Sequence, residues 1–303
     1  MEKLSIIVPC YNEEENIALF MSEIEKTTIP YETEVIFVDD GSSDGTTREI
    51  KKTNAKYISF SRNFGKEAAI LAGLEKASGS LVAIMDVDLQ DPPSLIPQML
   101  NMLESDDVDC VATYRKDRKG EKIIRSFFSN MFYRVINRIS DVEIKRGARD
   151  FRIMKRNMVE AILGLKEVGR FSKGIFAWVG FKTQWIAYEN TPRARGETKF
   201  SFGKLTRYAI SGIISFTSRP LRIAVKVGLW FIIISILLMI ALIIRQAITG
   251  ASAYGWTSLV CLILGTTGVN IFFLGVIGHY LSEMFYEVKN RPKYIIREEN
   301  IDS

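Results

Sequence analysis

Residues Leu81–Pro93 read LVAIMDVDLQDPP, an apolar run that stops abruptly at three carboxylates, Asp86, Asp88 and Asp91. An unbroken stretch such as Leu81–Met85 has the pattern of a strand covered on both faces, as in a parallel sheet lying between helices. Strand alternation then puts Asp86 and Asp88 on one side, and two carboxylates at one strand end call for a cation. A hard divalent ion, Mg²⁺ or Mn²⁺, takes oxygen ligands, keeps open positions and bridges protein carboxylates to substrate phosphates. That is how a diphosphate leaving group is held. An acidic turn ended by proline offers the same residues without any chemistry, so the rest of the chain has to be weighed with it.

Upstream, Leu4–Pro9, Glu34–Val38 and Tyr57–Ser61 are three more short buried strands, and helical patterns follow each of them. The first ends at Cys10-Tyr11-Asn12-Glu13 before a helix through Ile24. A strand, a turn and a helix N-terminus with free N–H groups make a place for a phosphate or a nucleobase. The second runs into Asp39-Asp40-Gly41-Ser42-Ser43-Asp44-Gly45-Thr46, where Gly41 and Gly45 suit turns and Ser43 or Asp44 suits a cap. After Asn63-Phe64-Gly65-Lys66 a helix covers Glu67–Ala77. Strands alternating with helices predict an α/β fold with its chemistry at the carboxyl ends of the strands. No GxGxxG occurs, which argues against a hydride-transferring dinucleotide fold.

Downstream, the pattern predicts a helix over Ser94–Leu103, a strand over Val108–Tyr114 ending at Arg115, a helical stretch over Gly169–Val179 and a strand over Lys182–Ala187. Asp150, in Arg146–Arg156, falls where a loop enters a strand or helix. Lys116–Arg125 is a basic loop, and Ile123–Ile139 carries an apolar stripe at helical spacing that packs inward or onto lipid. Leu205–Ser218 suits a helix lying in a membrane interface, or one that binds a partner.

The chain has 303 residues, 47% hydrophobic, and a net charge of +5. Much of the apolar excess sits in Val227–Ile244 and Trp256–Leu281, each meeting the length of about 18 residues needed to span a bilayer. Arg219, Arg222 and Lys226 precede the first, and Lys289, Arg291, Lys293 and Arg297 follow the second. The segment between carries only Arg245, so both ends are expected on the cytoplasmic side of the plasma (inner) membrane. No signal peptide is expected at the N-terminus. Cys10, Cys110 and Cys261 are too scattered for a disulfide framework or metal site. The basic excess over 115–226 points to phosphate groups and an anionic membrane surface as partners, and no nucleic-acid motif is present.

In order, SIIVPCYNEEENI, VDDGSSDGT, MDVDLQDPP, the strand-end TYR and RARGETK resemble the inverting family 2 glycosyltransferases. The likeness is strongest to the polyprenyl-phosphate branch, the bactoprenol glucosyltransferases first and the dolichyl-phosphate mannose synthases more distantly, and it extends over the whole chain. It implies a glycosyltransferase A-type fold, Rossmann-like with a mostly parallel sheet. It further implies four segments: a cytoplasmic catalytic domain at 1–204, an interfacial helix at 205–220, a two-helix membrane anchor at 221–282 and a cytoplasmic tail at 283–303.

The same resemblance assigns roles. Pro9, Tyr11, Glu13, Val38 and Asp40 correspond to a nucleoside pocket, Asp86 and Asp88 with Gln90 to a metal and diphosphate site, and Arg193 and Lys199 to a donor-phosphate clamp. Arg115, Arg125 and Ser129 match positions that hold the acceptor phosphate. Asp150 lies in Gly147-Ala148-Arg149-Asp150-Phe151-Arg152, where the mannose synthases carry a DxxSGF-like segment; it is a general base or an orienting group near the acceptor. The absence of a QxxRW motif disfavours repeated polymerisation.

The implied reaction moves one hexose, of glucose or N-acetylglucosamine type, from a UDP-sugar to polyprenyl phosphate with Mg²⁺ or Mn²⁺. Self-association, a flippase and a downstream transferase are the expected protein partners. A membrane-anchored transferase acting on a glycan or protein, or a non-catalytic nucleotide-sugar scaffold, are the competing readings.

Overall fold

The computed structural model describes residues 3–105, 107–115, 145, 147–188, 219–249 and 255–301. These fall into two units, one formed by Met1–Ser215 with Asn290–Ser303 and the other by Phe216–Lys289.

The first unit is built on one sheet. Its strands are β1 (Lys3–Cys10), β2 (Glu32–Asp39), β3 (Lys56–Phe60), β4 (Leu81–Ile84), β5 (Cys110–Arg115), β6 (Ala148–Lys155), β7 (Thr183–Tyr188) and β8 (Ile296–Glu299). Their spatial order is β7-β5-β6-β4-β1-β2-β3-β8. β1 pairs in parallel with β2 and β4, β2 with β3, and β5 with β7. β6 runs antiparallel between β4 and β5, and β8 antiparallel on β3. The expected α/β class with a mostly parallel sheet is therefore what the chain forms.

The apolar runs explain the central strands. Ile6, Ile7 and Val8 of β1, Ile36, Phe37 and Val38 of β2, and Val82, Ala83 and Ile84 of β4 are all fully buried. Consecutive buried residues mean that both faces are covered, so alternation is lost. Among the described residues the helices of this unit are α1 (Glu14–Lys26), α2 (Thr46–Ile50), α3 (Lys66–Lys76), α4 (Ile96–Ser105), α5 (Arg156–Leu163) and α6 (Ser172–Trp178). α1 buries Ile17, Phe20 and Ile24, and Phe20 meets Phe37 edge-to-face at 5.9 Å. α3 buries Ala68 through Leu74 without a break.

One of the two edge strands, β8, has no counterpart in the sequence pattern. The tail after the second apolar helix returns to the sheet as β8, whose side chains are partly to fully exposed. Tyr294 stacks on Phe60 at 4.9 Å, and the Asn300 side chain accepts from the Tyr57 N–H at 2.6 Å.

The second unit comprises α7 (Arg219–Thr249) and α8 (Trp256–Lys289). Within α8, Gly265–Lys289 is long and apolar enough to cross a membrane, and none of that segment is buried. The corresponding apolar stretch of α7, Ile223–Leu238, is shorter. Of the two expected spans, one therefore meets the criterion among the described residues. The helix that carries the second stretch, α8, begins at Trp256, where the sequence pattern puts its start, and runs on to Lys289.

Candidate active site

Because β1 to β5 run one way and β6 the other, the carboxyl ends of β1, β2, β4 and β5 share an edge with the start of β6. Two loops meet there first. The Asn12 N–H donates to Ser42 Oγ at 2.8 Å, the Ser43 N–H to Asn12 Oδ1 at 2.8 Å and the Glu13 N–H to Thr46 Oγ1 at 2.8 Å. These bonds stitch the turn after β1 to the turn after β2. Pro9 pairs with Val38 in register, and both are buried. Tyr11 stands 38% exposed beside them. Glu13 Oε2 accepts from the Asn16 side chain at 2.6 Å.

Asp40 is buried, and its carboxylate is turned onto the next loop: Oδ1 accepts from the Phe64 N–H at 2.6 Å and Oδ2 from the Gly65 N–H at 2.9 Å. Burial pushes Asp40 up to about 6 even against those N–H donors, with Asp39 adding to the rise. Gly65 has φ of 101°, a conformation that L side chains rarely adopt. This fixes the chain's entry into α3, and Lys66 is the first residue of that helix.

Lys66 was not among the expected site residues. Its Nζ lies 2.5 Å from Asp86 Oδ1 and 2.5 Å from Asp150 Oδ2. The sheet prepares the meeting: Ile84, the last residue of β4, pairs with Arg152, so the turn after β4 starts out beside Asp150 of β6. Two carboxylates brought together in this way repel, and the ammonium between them removes the conflict. Burial raises the Asp150 pKa, but Lys66, Lys173 and Arg152 outweigh it and hold the carboxyl well below the usual range.

The stretch after β4 is a turn and not a continued strand. β4 ends at Ile84, and Leu89 takes φ of 55°. Strand alternation therefore stops short of Asp86 and Asp88, and the turn sets their directions. Asp88 is buried and its Oδ1 accepts from the Gln90 N–H at 3.2 Å. Gln90 Oε1 accepts from Arg115 Nη2 at 3.0 Å and from Arg149 Nη2 at 3.4 Å. Arg149 Nε in turn donates to Asp91 Oδ1 at 3.0 Å, and the Tyr188 hydroxyl donates to the same oxygen. Burial and the neighbouring Asp91 push Tyr188 up to about 12. Burial disfavours a charged Arg149, but Asp91, Asp86 and Tyr188 more than restore it.

Arg152 is buried, with its guanidinium 3.5 Å from the centre of the Phe176 ring. Glu67 accepts from the Ser172 N–H at 3.0 Å, tying α3 to α6 next to Asp150. Gly147, φ 76°, lets the start of β6 approach the Arg115 backbone, where an added Cβ would stand 3.0 Å from the Arg115 carbonyl oxygen.

The structure thus brings Asp86, Asp150 and Lys66 together, and beside them Asp88, Gln90, Arg115, Arg149 and Asp91. Arg125, Ser129, Arg193, Lys199 and the interfacial segment 205–218 lie outside the described residues. Lys66 and Arg149 had only weak sequence signals, a lysine after a glycine at a helix start and an arginine beside Asp150.

For a divalent ion, the donors are of the right kind. Asp86 and Asp88 are hard oxygen ligands, and the Asp86 side chain is 22% exposed. Among the described residues no group of three His, Cys, Asp or Glu side chains is placed to hold a metal alone. The residues fit an ion of the Mg²⁺ type, which keeps water and takes substrate phosphates in addition to one or two carboxylates.

The profile described as Glycosyl transferase family 2 matches residues 5–163. Over 305 residues the chain is 41% identical to the Bacillus subtilis (strain 168) protein CsbB, itself named only provisionally as a glycosyltransferase, covering 98% of this chain and 92% of that protein. It is 39% identical over 303 residues to the SfII prophage-derived bactoprenol glucosyl transferase of Shigella flexneri, covering 98% of each. Among solved structures, glucosyl-3-phosphoglycerate synthase from Mycobacterium tuberculosis aligns with a TM-score of 0.48 at 18% identity, over 70% of this chain and 77% of that one. With a family profile across more than half its length and relatives of this identity along nearly all of it, the chain belongs to glycosyl transferase family 2.

Proposed function

We propose that this protein transfers one hexose, glucose in the first instance, from a UDP-sugar to polyprenyl phosphate at the cytoplasmic face of the membrane, with inversion at the anomeric carbon. The observation that carries the reading is the convergence of Asp86 and Asp150 on Lys66 beside Arg115 and Arg149, at one sheet edge. It is supported by likeness to bactoprenol glucosyl transferases along 97–98% of the chain, apolar helices included.

In this reading Tyr11 offers its face to the base, with Pro9, Glu13, Val38 and Asp40 around it. A Mg²⁺ or Mn²⁺ ion held by Asp86 and Asp88 would stabilise negative charge on a departing diphosphate. Arg193 and Lys199 share that work. Arg115, with Arg125 and Ser129, receives the acceptor phosphate, and Gln90 holds Arg115 and Arg149 in place. The acceptor is its own nucleophile: a phosphate monoester has a second pKa of about 6 and is largely dianionic at neutral pH. Strong general-base help is unnecessary, and Asp150, held well below the usual carboxylate range by its cationic neighbours, is a poor base. It orients the site through Lys66.

The acceptor's tail stays in the bilayer, so the pocket must be held at headgroup height. An interfacial helix over 205–220 and two spans over 221–282, both ends cytoplasmic, serve that purpose. A panel of UDP-sugars offered with undecaprenyl phosphate and Mg²⁺ to the purified chain tests the assignment. Mass spectrometry of the lipid fraction should show one added hexose, and a lipid fraction unchanged with every donor would refute it.

A further inference from the structure

We infer that Lys66 is a positioning residue that keeps free divalent cations off Asp86 until a nucleoside diphosphate arrives. The inference rests on the cation site proposed above and deepens it. Three features carry it. Lys66 Nζ already holds Asp86 Oδ1 at 2.5 Å, so an ion approaching that oxygen meets an ammonium. The ammonium has a second anchor in Asp150 Oδ2, also at 2.5 Å, and does not swing away freely. Its backbone is fixed from below, because the Asp40 carboxylate holds the Phe64 and Gly65 N–H groups that lead into α3.

The physical consequence is a coupling between two ligands. A divalent ion alone gains Asp86 and Asp88 but faces the repulsion of Lys66 at close range, where charges are only partly screened. A diphosphate brings several negative oxygens that attract the ion and the ammonium alike. Lys66 then exchanges Asp86 for a phosphate oxygen while keeping Asp150. Cation and nucleotide therefore enter as a pair, each raising the affinity of the other by the same factor. The side chain is 40% exposed, which leaves it room to make that exchange.

The test measures Mn²⁺ binding, not turnover. Free Mn²⁺ is followed by electron paramagnetic resonance during titration of the purified full-length chain in detergent, with and without UDP. The parent protein should bind Mn²⁺ at least about tenfold more tightly with UDP than without. Lys66→Met should tighten UDP-free binding by about tenfold and lose most of the UDP dependence. Lys66→Gln, which keeps a polar side chain, should do the same, and Lys66→Arg should behave like the parent. General damage to the site would weaken Mn²⁺ binding, so a gain is diagnostic. Unchanged or weaker UDP-free binding in both Lys66→Met and Lys66→Gln, with UDP-supported binding intact in the parent, overturns the role of Lys66 alone. No Mn²⁺ binding by the parent even with UDP overturns the cation site as well.

Discussion

Asp86 and Asp150 come from neighbouring antiparallel segments and meet through one ammonium, Lys66 Nζ, 2.5 Å from a carboxylate oxygen of each. The pair divides its labour: Asp86 lies on the turn with Asp88, and Asp150 is already satisfied by cations. Replacing Asp88 should therefore hurt more than replacing Asp150. Asp88→Asn is expected to lower kcat by about 10²-fold to 10³-fold, the loss typical of removing charge stabilisation of a leaving group. Asp150→Asn should lower it by about tenfold. Initial rates at saturating donor and acceptor decide the order, and equal losses would give Asp150 a direct chemical role.

Asp91 is the acceptor on which Arg149 and Tyr188 both depend, and its side chain is fully buried. Asp91→Ala would leave a guanidinium and a phenol without that oxygen. Loss of one partner of a buried pair costs about 3–5 kcal/mol. A clear drop in melting temperature is expected, larger than for Asp91→Asn, which keeps an acceptor. A melting temperature unchanged in Asp91→Ala would show that the two donors find other partners.

Most of the sheet was legible because a doubly covered strand must be apolar throughout. Leu4–Pro9 and Tyr57–Ser61 predict β1 and β3 to within a residue or two. β8 escaped because an edge strand with half-exposed side chains, IREE, has no such run. The site divides in the same way. The acidic turn announced itself by composition, whereas Lys66 took its meaning from carboxylates 20 and 84 residues away. The pairing of β4 with β6, together with the turn after Ile84, brings those together. The alternation argument for Asp86 and Asp88 rested on a strand geometry that ends at Ile84.

Asp40 supplies a pH dependence of known sign. Its folded pKa of about 6 stands above the ordinary aspartate value of about 4. The native state thus holds that proton more tightly than the unfolded chain. The contribution to stability is complete below about pH 4 and is lost as pH rises through about 6. The parent should lose stability relative to Asp40→Asn between pH 4.5 and 7.5, as read from melting temperatures across about that range. Parallel profiles would mean that Asp40 does not titrate there.

The returning tail should matter through its strand and not its charges. Truncation after Asn290 removes the Tyr294–Phe60 stack, the Asn300 bond to Tyr57 and the pairing along β3. An uncovered edge invites association between chains. Lower melting temperature and earlier elution on size exclusion are expected. Glu298→Gln, which breaks only a half-exposed pair with Lys51, should change stability by no more than about 0.5 kcal/mol. If the truncated chain matches the parent in both measurements, β8 contributes nothing to the sheet's integrity.

The most direct test of the account follows the sugar. The purified full-length chain is given UDP-glucose labelled in the hexose, polyprenyl phosphate and Mg²⁺, and the label is partitioned between water and organic solvent. The account predicts label in the organic phase, dependent on the lipid phosphate and lost in Asp88→Asn. Label that leaves UDP yet stays in water or on protein, or donor that binds without turnover, would contradict it.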